Sequence, residues 1–181
     1  MAVRRLLIIA AIVAGTAAVA GIVVYGQMNA SLLTDRTASP IKTADRKTAP
    51  AFNRAGLTGQ PVDLRRFHGK PVVINFFASN CAPCRQEAAG LARLGRDFGS
   101  RVQMVGIAID DTRPGTMHFV SHYHWTWPIV FDQDDDLAYK FGLYGKPTTV
   151  VIDQEGRIAW QHAGRIGTRP IAQVLDALLQ A

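Results

Sequence analysis

The chain has 181 residues, 48% of them hydrophobic and 19% charged, which is enough for one folded domain with an additional segment. Its net charge of +6 lies near the start, because residues 1–60 carry 7 Lys/Arg against 2 Asp/Glu and residues 61–181 carry 13 against 12. The predicted domain is therefore almost neutral, and its charge gives no support to nucleic-acid binding.

The first 25 residues have the pattern of an exported protein. Arg4 and Arg5 precede Leu6–Tyr25, an uncharged run of 20 residues that is long enough to cross a bilayer as a helix. The positive-inside rule places residues 1–5 in the cytoplasm and the remaining chain outside. A cleaved signal peptide is the alternative, with cleavage after Ala18-Val19-Ala20. We favour a retained transmembrane anchor over residues 6–25, because the apolar run continues past this site.

A spacer and one domain are predicted to follow the anchor. Residues 26–50 are rich in Ser, Thr, Ala, Lys and Arg and poor in large apolar residues, which predicts a flexible linker. The domain is predicted to occupy residues 51–181. β-Branched and aromatic clusters predict strands at Val72–Phe77, 102–109, 128–131, 148–152 and 157–160. Apolar residues at helical spacing predict helices after Cys81, at 113–124, at 136–141, and after Thr168 as N-cap.

Strands that alternate with helices and end in a hairpin predict an α/β sandwich with a mixed sheet. In such sheets, sites form beyond the carboxyl ends of the parallel strands. The strand at 72–77 ends near Cys81, and the strand at 102–109 ends at Asp110 and Asp111. We therefore expect these residues at the same edge of the sheet.

Cys81 and Cys84 are the only two cysteines of the chain. A C-x-x-C sequence between a strand and a helix is typical of a redox-active dithiol, and the helix N-terminus stabilises the thiolate of its first cysteine. A zinc site would need further ligands, and no second C-x-x-C is present. A purely structural disulfide over so short a loop would constrain the unfolded chain very little. Redox chemistry is the favoured interpretation of the three.

Two segments carry a resemblance to a known family. The stretch from Asn75 to Glu87 and the run Gly145-Lys146-Pro147-Thr148-Thr149 resemble the thioredoxin-like superfamily. Within it, they resemble the membrane-anchored TlpA/ResA/CcmG group of thiol–disulfide oxidoreductases. The resemblance begins near Ala51. It implies a thioredoxin-like sandwich, with a mixed central sheet flanked by helices, here preceded by one transmembrane helix.

The resemblance also implies the catalytic residues, and no cofactor is expected. Cys81 is similar to the attacking cysteine and Cys84 to the resolving cysteine. Pro147 matches a cis-proline that faces the dithiol, although an ordinary trans proline is the alternative. Glu87 matches an acidic residue that tunes the thiol pKa values, although a solvated glutamate near a helix N-terminus is the alternative.

Further positions of the sequence bear on the site. Asp110 or Asp111 stands where relatives have an acidic residue, for which a proton-relay role is one interpretation. Asn80 replaces the tryptophan that usually precedes the first cysteine, which puts substrate preference and redox poise in question. His118 and His122 are an i, i+4 pair, but without acidic or cysteine partners at a defined spacing they predict no metal site.

These features predict an exported, single-pass membrane protein whose catalytic domain is extracytoplasmic and exchanges thiols and disulfides. We expect reduction of protein disulfides or cysteine pairs, for example in cytochrome c maturation, with a membrane thiol–disulfide electron donor as the second partner. A disulfide-introducing oxidase is the first alternative, because the direction depends on how well the thiolate is stabilised. A thiol-based copper-handling module is the second.

Overall fold

The structure is a computed structural model and describes residues 38–181. The predicted anchor, Leu6–Tyr25, and the first part of the predicted linker lie outside these residues. From residue 38 to residue 181, no helix combines the length and the apolar character that crossing a bilayer requires.

This part of the chain contains seven β-strands and four α-helices. In chain order they are β1 (Asn53–Ala55), β2 (Pro61–Asp63), β3 (Val72–Phe77), α1 (Ala82–Phe98), β4 (Gln103–Ile109), α2 (Arg113–His122), β5 (Ile129–Asp132), α3 (Asp136–Lys140), β6 (Thr148–Ile152), β7 (Ile158–Ala163) and α4 (Thr168–Leu179). The predicted strands and helices are confirmed, with ends that move by a few residues.

The central sheet has five strands in the order β5-β4-β3-β6-β7. β3 pairs in parallel with β4, and β4 with β5, whereas β6 and β7 are antiparallel to their neighbours. β1 and β2 form a separate antiparallel hairpin. The sheet is therefore mixed, as predicted, and the carboxyl ends of β3 and β4 meet at one edge.

Both faces of the sheet are buried, which explains why five of the six residues of β3 are apolar. Val73 and Phe77 face a layer that contains the apolar sides of α1 and α4. Val72, Ile74 and Phe76 face the opposite layer, which contains α3. Each fully buried aliphatic or aromatic side chain contributes about 1.5–3 kcal/mol. Asn75 is the polar member of this strand, and it lies on the same face as Val73 and Phe77, toward α1.

The end of the predicted linker differs from expectation. Instead of a free spacer as far as Pro50, the structure shows residues 41–49 hydrogen-bonded to the outer edge of β7, with Thr48 bridging to Arg157. The Arg46 guanidinium also pairs with the fully buried carboxylate of Asp153 at 3.0 Å. The prediction was wrong here because this segment binds largely through backbone groups, which composition does not reveal.

The start of α4 also differs. Thr168 was expected to cap this helix, but it is the first helical residue. Gly167 occupies the N-cap position and has no side chain that could accept a hydrogen bond there.

Candidate active site

The dithiol lies where β3 passes into α1. Cys81 is the N-cap residue of α1, and its Sγ accepts a hydrogen bond from the backbone N–H of Cys84 at 3.2 Å. The two residues form a disulfide with their Cα atoms 5.3 Å apart. Cys81 retains 8% of its surface and Cys84 only 1%. The pair is therefore asymmetric, with Cys81 as the more accessible sulfur at the helix N-terminus.

Asp111 holds the turn that precedes the dithiol. Its Oδ2 accepts from the backbone N–H of Ser79 at 2.7 Å and from the Thr116 hydroxyl at 2.9 Å. Its Oδ1 accepts from the Ser79 hydroxyl at 2.6 Å and from the backbone N–H of Thr112 at 2.8 Å. Burial raises the pKa of Asp111, but these bonds outweigh it, and the pKa lies below its ordinary value. Asp111 thus connects the β4–α2 junction to the β3–α1 turn.

Asp110 has a different environment from its neighbour. Its backbone has a φ of 45°, its side chain is 78% exposed, and its carboxylate pairs with Lys146 Nζ at 2.7 Å. The same ammonium group donates to the backbone oxygen of Asp110 at 3.1 Å and to that of Ile109 at 3.4 Å. Lys146 therefore fastens the loop before β6 to the end of β4.

The Lys146–Pro147 peptide bond is cis, as the resemblance implied. Thr148 lies opposite Phe76 in the antiparallel β3–β6 register, so Pro147 precedes β6 at the edge where β3 runs toward Cys81. Next to this loop lies a groove of about 440 Å³, on which Tyr139 and Tyr144 are 83% and 100% exposed.

Glu87 is buried, which distinguishes it from the solvated alternative. It is 6% exposed on the inner side of α1, one turn after Cys84. Its Oε1 accepts from Asn75 Nδ2 at 2.9 Å, and its Oε2 accepts from the backbone N–H of Ile166 at 3.3 Å. Burial is the largest effect on its pKa and raises it, against the opposing hydrogen bonds and the charge of Arg165.

Aromatic and histidine side chains on and after α2 lie near the site. Trp125 is buried, and its Nε1–H donates to the backbone oxygen of Ala88 at 3.0 Å, so it packs α2 and its following loop against α1. The rings of His118 and His122 stack on the exposed side of α2, with centroids 6.0 Å apart. Among residues 38–181, no group of three or more His, Cys, Asp or Glu side chains is arranged to hold a metal ion.

Sequence reasoning missed Asn75, Thr149, Ser79 and Lys146. For Asn75 a signal was present, since it is the one polar residue in the predicted buried strand Val72–Phe77. The other three stand in the segments that carry the resemblance, but their contacts depend on segments that are distant in sequence, so no local pattern indicated those contacts.

Comparison with known proteins agrees with this geometry. Residues 46–161 match the AhpC/TSA family. The chain is 32% identical over 136 residues to the thiol:disulfide interchange protein DsbE of Allochromatium vinosum, covering 74% of each chain. It is 26% identical over 142 residues to the thiol-disulfide oxidoreductase ResA of Halalkalibacterium halodurans, covering 75% of this chain and 81% of that protein.

A solved structure shows the same fold. The DsbF homologue from Corynebacterium diphtheriae superposes with a TM-score of 0.72 and 27% identity, over 80% of this chain and 95% of that one. The family match, the fold and the disulfide of the C-x-x-C pair therefore support the same assignment. The chain belongs to the AhpC/TSA family of thioredoxin-like proteins and is a thiol–disulfide oxidoreductase of the ResA and DsbE type.

Proposed function

We propose that this oxidoreductase reduces protein disulfides outside the cytoplasm, with Cys81 as the nucleophile and Cys84 as the resolving cysteine. The asymmetry of the pair carries this proposal. Cys81 is the more exposed sulfur and accepts the N–H of Cys84 at the helix N-terminus, where its thiolate is stabilised in the reduced protein. Cys84 is buried below it and can reach only a disulfide that Cys81 has already formed.

The exchange proceeds in two balanced steps. The Cys81 thiolate attacks one sulfur of the substrate disulfide, which forms a mixed disulfide and releases the other substrate sulfur as a thiolate that takes up a proton. Cys84 then loses its proton and attacks Cys81 Sγ, which releases the second substrate sulfur. The substrate gains two electrons and the Cys81–Cys84 pair loses two. A membrane thiol–disulfide donor restores the dithiol.

The surroundings of the dithiol support a protein as substrate. Pro147 lies at the same edge of the sheet as the dithiol, and it has no backbone N–H. An extended segment of a substrate can lie beside it. The exposed rings of Tyr139 and Tyr144 line the adjacent groove. Aromatic side chains of this kind are enriched in protein–protein interfaces.

The position of Glu87 supports reduction as the direction. A negatively charged Glu87, one turn from Cys84, disfavours a thiolate on either cysteine. It therefore raises the pKa of the thiols. A less stabilised thiolate makes the reduced form a better electron donor. We propose cysteine pairs of proteins such as apocytochrome c as substrates and residues 6–25 as the membrane anchor. We also propose that the catalytic domain begins earlier than residue 51, because residues 41–49 are hydrogen-bonded to the start of β7.

Trapping of mixed disulfides tests the two cysteine roles. Cys84→Ser should accumulate covalent complexes with partner proteins that disappear on treatment with dithiothreitol, because the mixed disulfide on Cys81 cannot be resolved. Cys81→Ser is the matched control and should trap none. Equal trapping by the two variants would refute the assignment.

A second candidate function, oxidation of substrate dithiols, is favoured by the same hydrogen bond to Cys81 Sγ, since thiolate stabilisation makes a disulfide more oxidising. Alkylation of the protein in intact cells separates the two. A reductase is found mainly as free thiols and shifts to the disulfide when its donor is lost. A pair that is found mainly as the disulfide, and that rapidly oxidises reduced unfolded proteins, would establish the oxidase.

A further inference from the structure

Asn75 lies at the centre of a buried polar network between β3, α1 and β6. Its Nδ2 donates to Glu87 Oε1 at 2.9 Å and to Thr149 Oγ1 at 3.1 Å. Asn75 is 1% exposed and Thr149 2%. The amide oxygen of Asn75 is buried, and no group of residues 38–181 donates a hydrogen bond to it. A buried acceptor without a donor is uncommon in folded proteins and calls for an explanation.

The observed arrangement suits an ionised Glu87. Each carboxylate oxygen faces a donor, namely the amide of Asn75 on one side and the backbone N–H of Ile166 on the other. A protonated Glu87 has an O–H that needs an acceptor, and neither of these donors can accept it. The unpaired oxygen of Asn75 belongs to the same amide that contacts Glu87 Oε1.

We propose that the side-chain amide of Asn75 reverses by a half-turn when Glu87 takes up a proton. In the reversed position Oδ1 accepts the O–H of Glu87, and Nδ2 occupies the place that Oδ1 leaves. Asn75 then holds the Glu87 carboxyl in the same place in both of its charge states. It acts as a positioning residue that follows the proton on Glu87.

Thr149 can form a hydrogen bond with the Asn75 amide in either of its two orientations. Its hydroxyl can accept a hydrogen bond from Nδ2 or, after rotation about its own C–O bond, donate one to Oδ1. Two hydrogen bonds are therefore kept in either orientation, and one atom of the amide stays unpaired in each. The oxygen and nitrogen of an asparagine side chain are distinguished by their hydrogen-bond partners, so the partner network defines the orientation.

The groups around Glu87 act on its charge state in opposite directions. Cys84 faces it from the same helix, Asn75 from β3, and Arg165 and the N–H of Ile166 from the loop before α4. Burial pushes the pKa of Glu87 up while Arg165 and the hydrogen bonds oppose it. Residues three apart on a helix are neighbours, which places Glu87 next to the Cys84 thiol. The use of this proton by the dithiol rests on the proposed function, but the reversal itself does not.

The variant Glu87→Gln tests the reversal at neutral pH. The N–H of Ile166 requires the oxygen of the new amide, so the new NH₂ group must face Asn75 and needs its Oδ1 as acceptor. In the full-length protein with its disulfide intact, nuclear Overhauser contacts from the Asn75 NH₂ protons to the side chains at 87 and 149 should be lost. Wild-type contacts that persist in this variant would overturn the proposal.

A pH titration of the wild-type protein tests the same reversal without a mutation. The chain has two glutamates, Glu87 and the exposed Glu155 at the β6–β7 turn, so ¹³C-glutamate labelling gives one carboxyl signal of interest and one reference. The contacts of the Asn75 amide should change with the same midpoint as the Glu87 carboxyl. Contacts that stay fixed while Glu87 is protonated would overturn the proposal.

These readouts need no turnover, so they fail independently of the reductase assignment. If the Cys84→Ser trap fails while the amide follows Glu87, the proposed exchange is wrong and the reversal stands. If the trap succeeds while the amide stays fixed, the exchange stands and the reversal is wrong.

Discussion

Replacing Asp111 by asparagine should loosen the turn that carries the dithiol. Each oxygen of Asp111 accepts one backbone N–H and one hydroxyl. An asparagine must place its NH₂ group against one of these pairs. The hydroxyl can rotate to accept, but the backbone N–H of Ser79 or of Thr112 would then face another donor. The variant therefore loses at least one hydrogen bond to a charged group and leaves a donor unpaired.

The expected loss of stability follows from these contacts. A hydrogen bond to a charged group contributes about 1.5–3 kcal/mol, and partial solvent access reduces the penalty for the unpaired donor, so we expect about 2 kcal/mol. With a urea dependence of about 2 kcal/mol per molar, the unfolding midpoint should fall by about 1 M. The fluorescence of Trp125, Trp127 and Trp160 can follow this transition in the full-length protein, because all three tryptophans lie in the described domain.

The pH dependence of this loss has a defined sign. The pKa of Asp111 is lowered in the folded protein, so its contribution is present above the unfolded value of about 3.9 and is lost as the pH falls through the folded value. Asp110→Asn is the matched control, since Asp110 is exposed and asparagine tolerates its positive φ. It should cost less than about 1 kcal/mol. Equal midpoints for the two variants at pH 7 would refute the role of Asp111.

Two other substitutions probe the interior. Glu87→Gln should raise the urea midpoint at pH 7. Burial raises the pKa of Glu87 in the folded protein above its unfolded pKa of about 4.3. Above that pH the folded state therefore carries an unfavourable charge, which the glutamine removes. The gain should vanish below that pH, and a gain that persists in acid would contradict this cause. Gly106→Ala should destabilise the protein by about 1–3 kcal/mol, because the new methyl would lie 2.6 Å from Ile129 Cδ1 in a packed core. Gly145→Ala, which has open space around it, is the control, and equal losses in thermal unfolding would argue against a steric effect.

The elements that the sequence predicted correctly are those defined by local patterns. The strand Val72–Phe77 has the predicted bounds because its apolar run stands between Pro71 and the polar turn at Ser79. Cys81 was placed at a helix N-terminus by the change from strand-like to helical spacing. These features depend on neighbours in sequence.

The parts that could not be predicted depend on contacts between distant segments. The burial of Glu87 results from the approach of Ile166 and Asn75, which lie 79 and 12 residues away in sequence. The two aspartates at the end of β4 looked alike in sequence, but only Asp111 turns toward Ser79. Its hydrogen bonds hold that turn, and a proton relay at either aspartate stays a prediction.

The segment that precedes the hairpin has a consequence for how the protein can meet other chains. Thr48 bridges to Arg157 beside β7, and farther along the chain Gly56 bridges to Val130 on β5, so residues 48–56 pair with the beginning of both outer strands of the sheet. Open outer strands invite pairing with strands from other molecules, including unfolded ones. A reductase of protein disulfides, as proposed above, meets partly unfolded chains among its substrates. Pairing at the beginning of both outer strands leaves less open strand edge for such a chain, which favours its release after exchange at the sulfur atoms over its addition to the sheet.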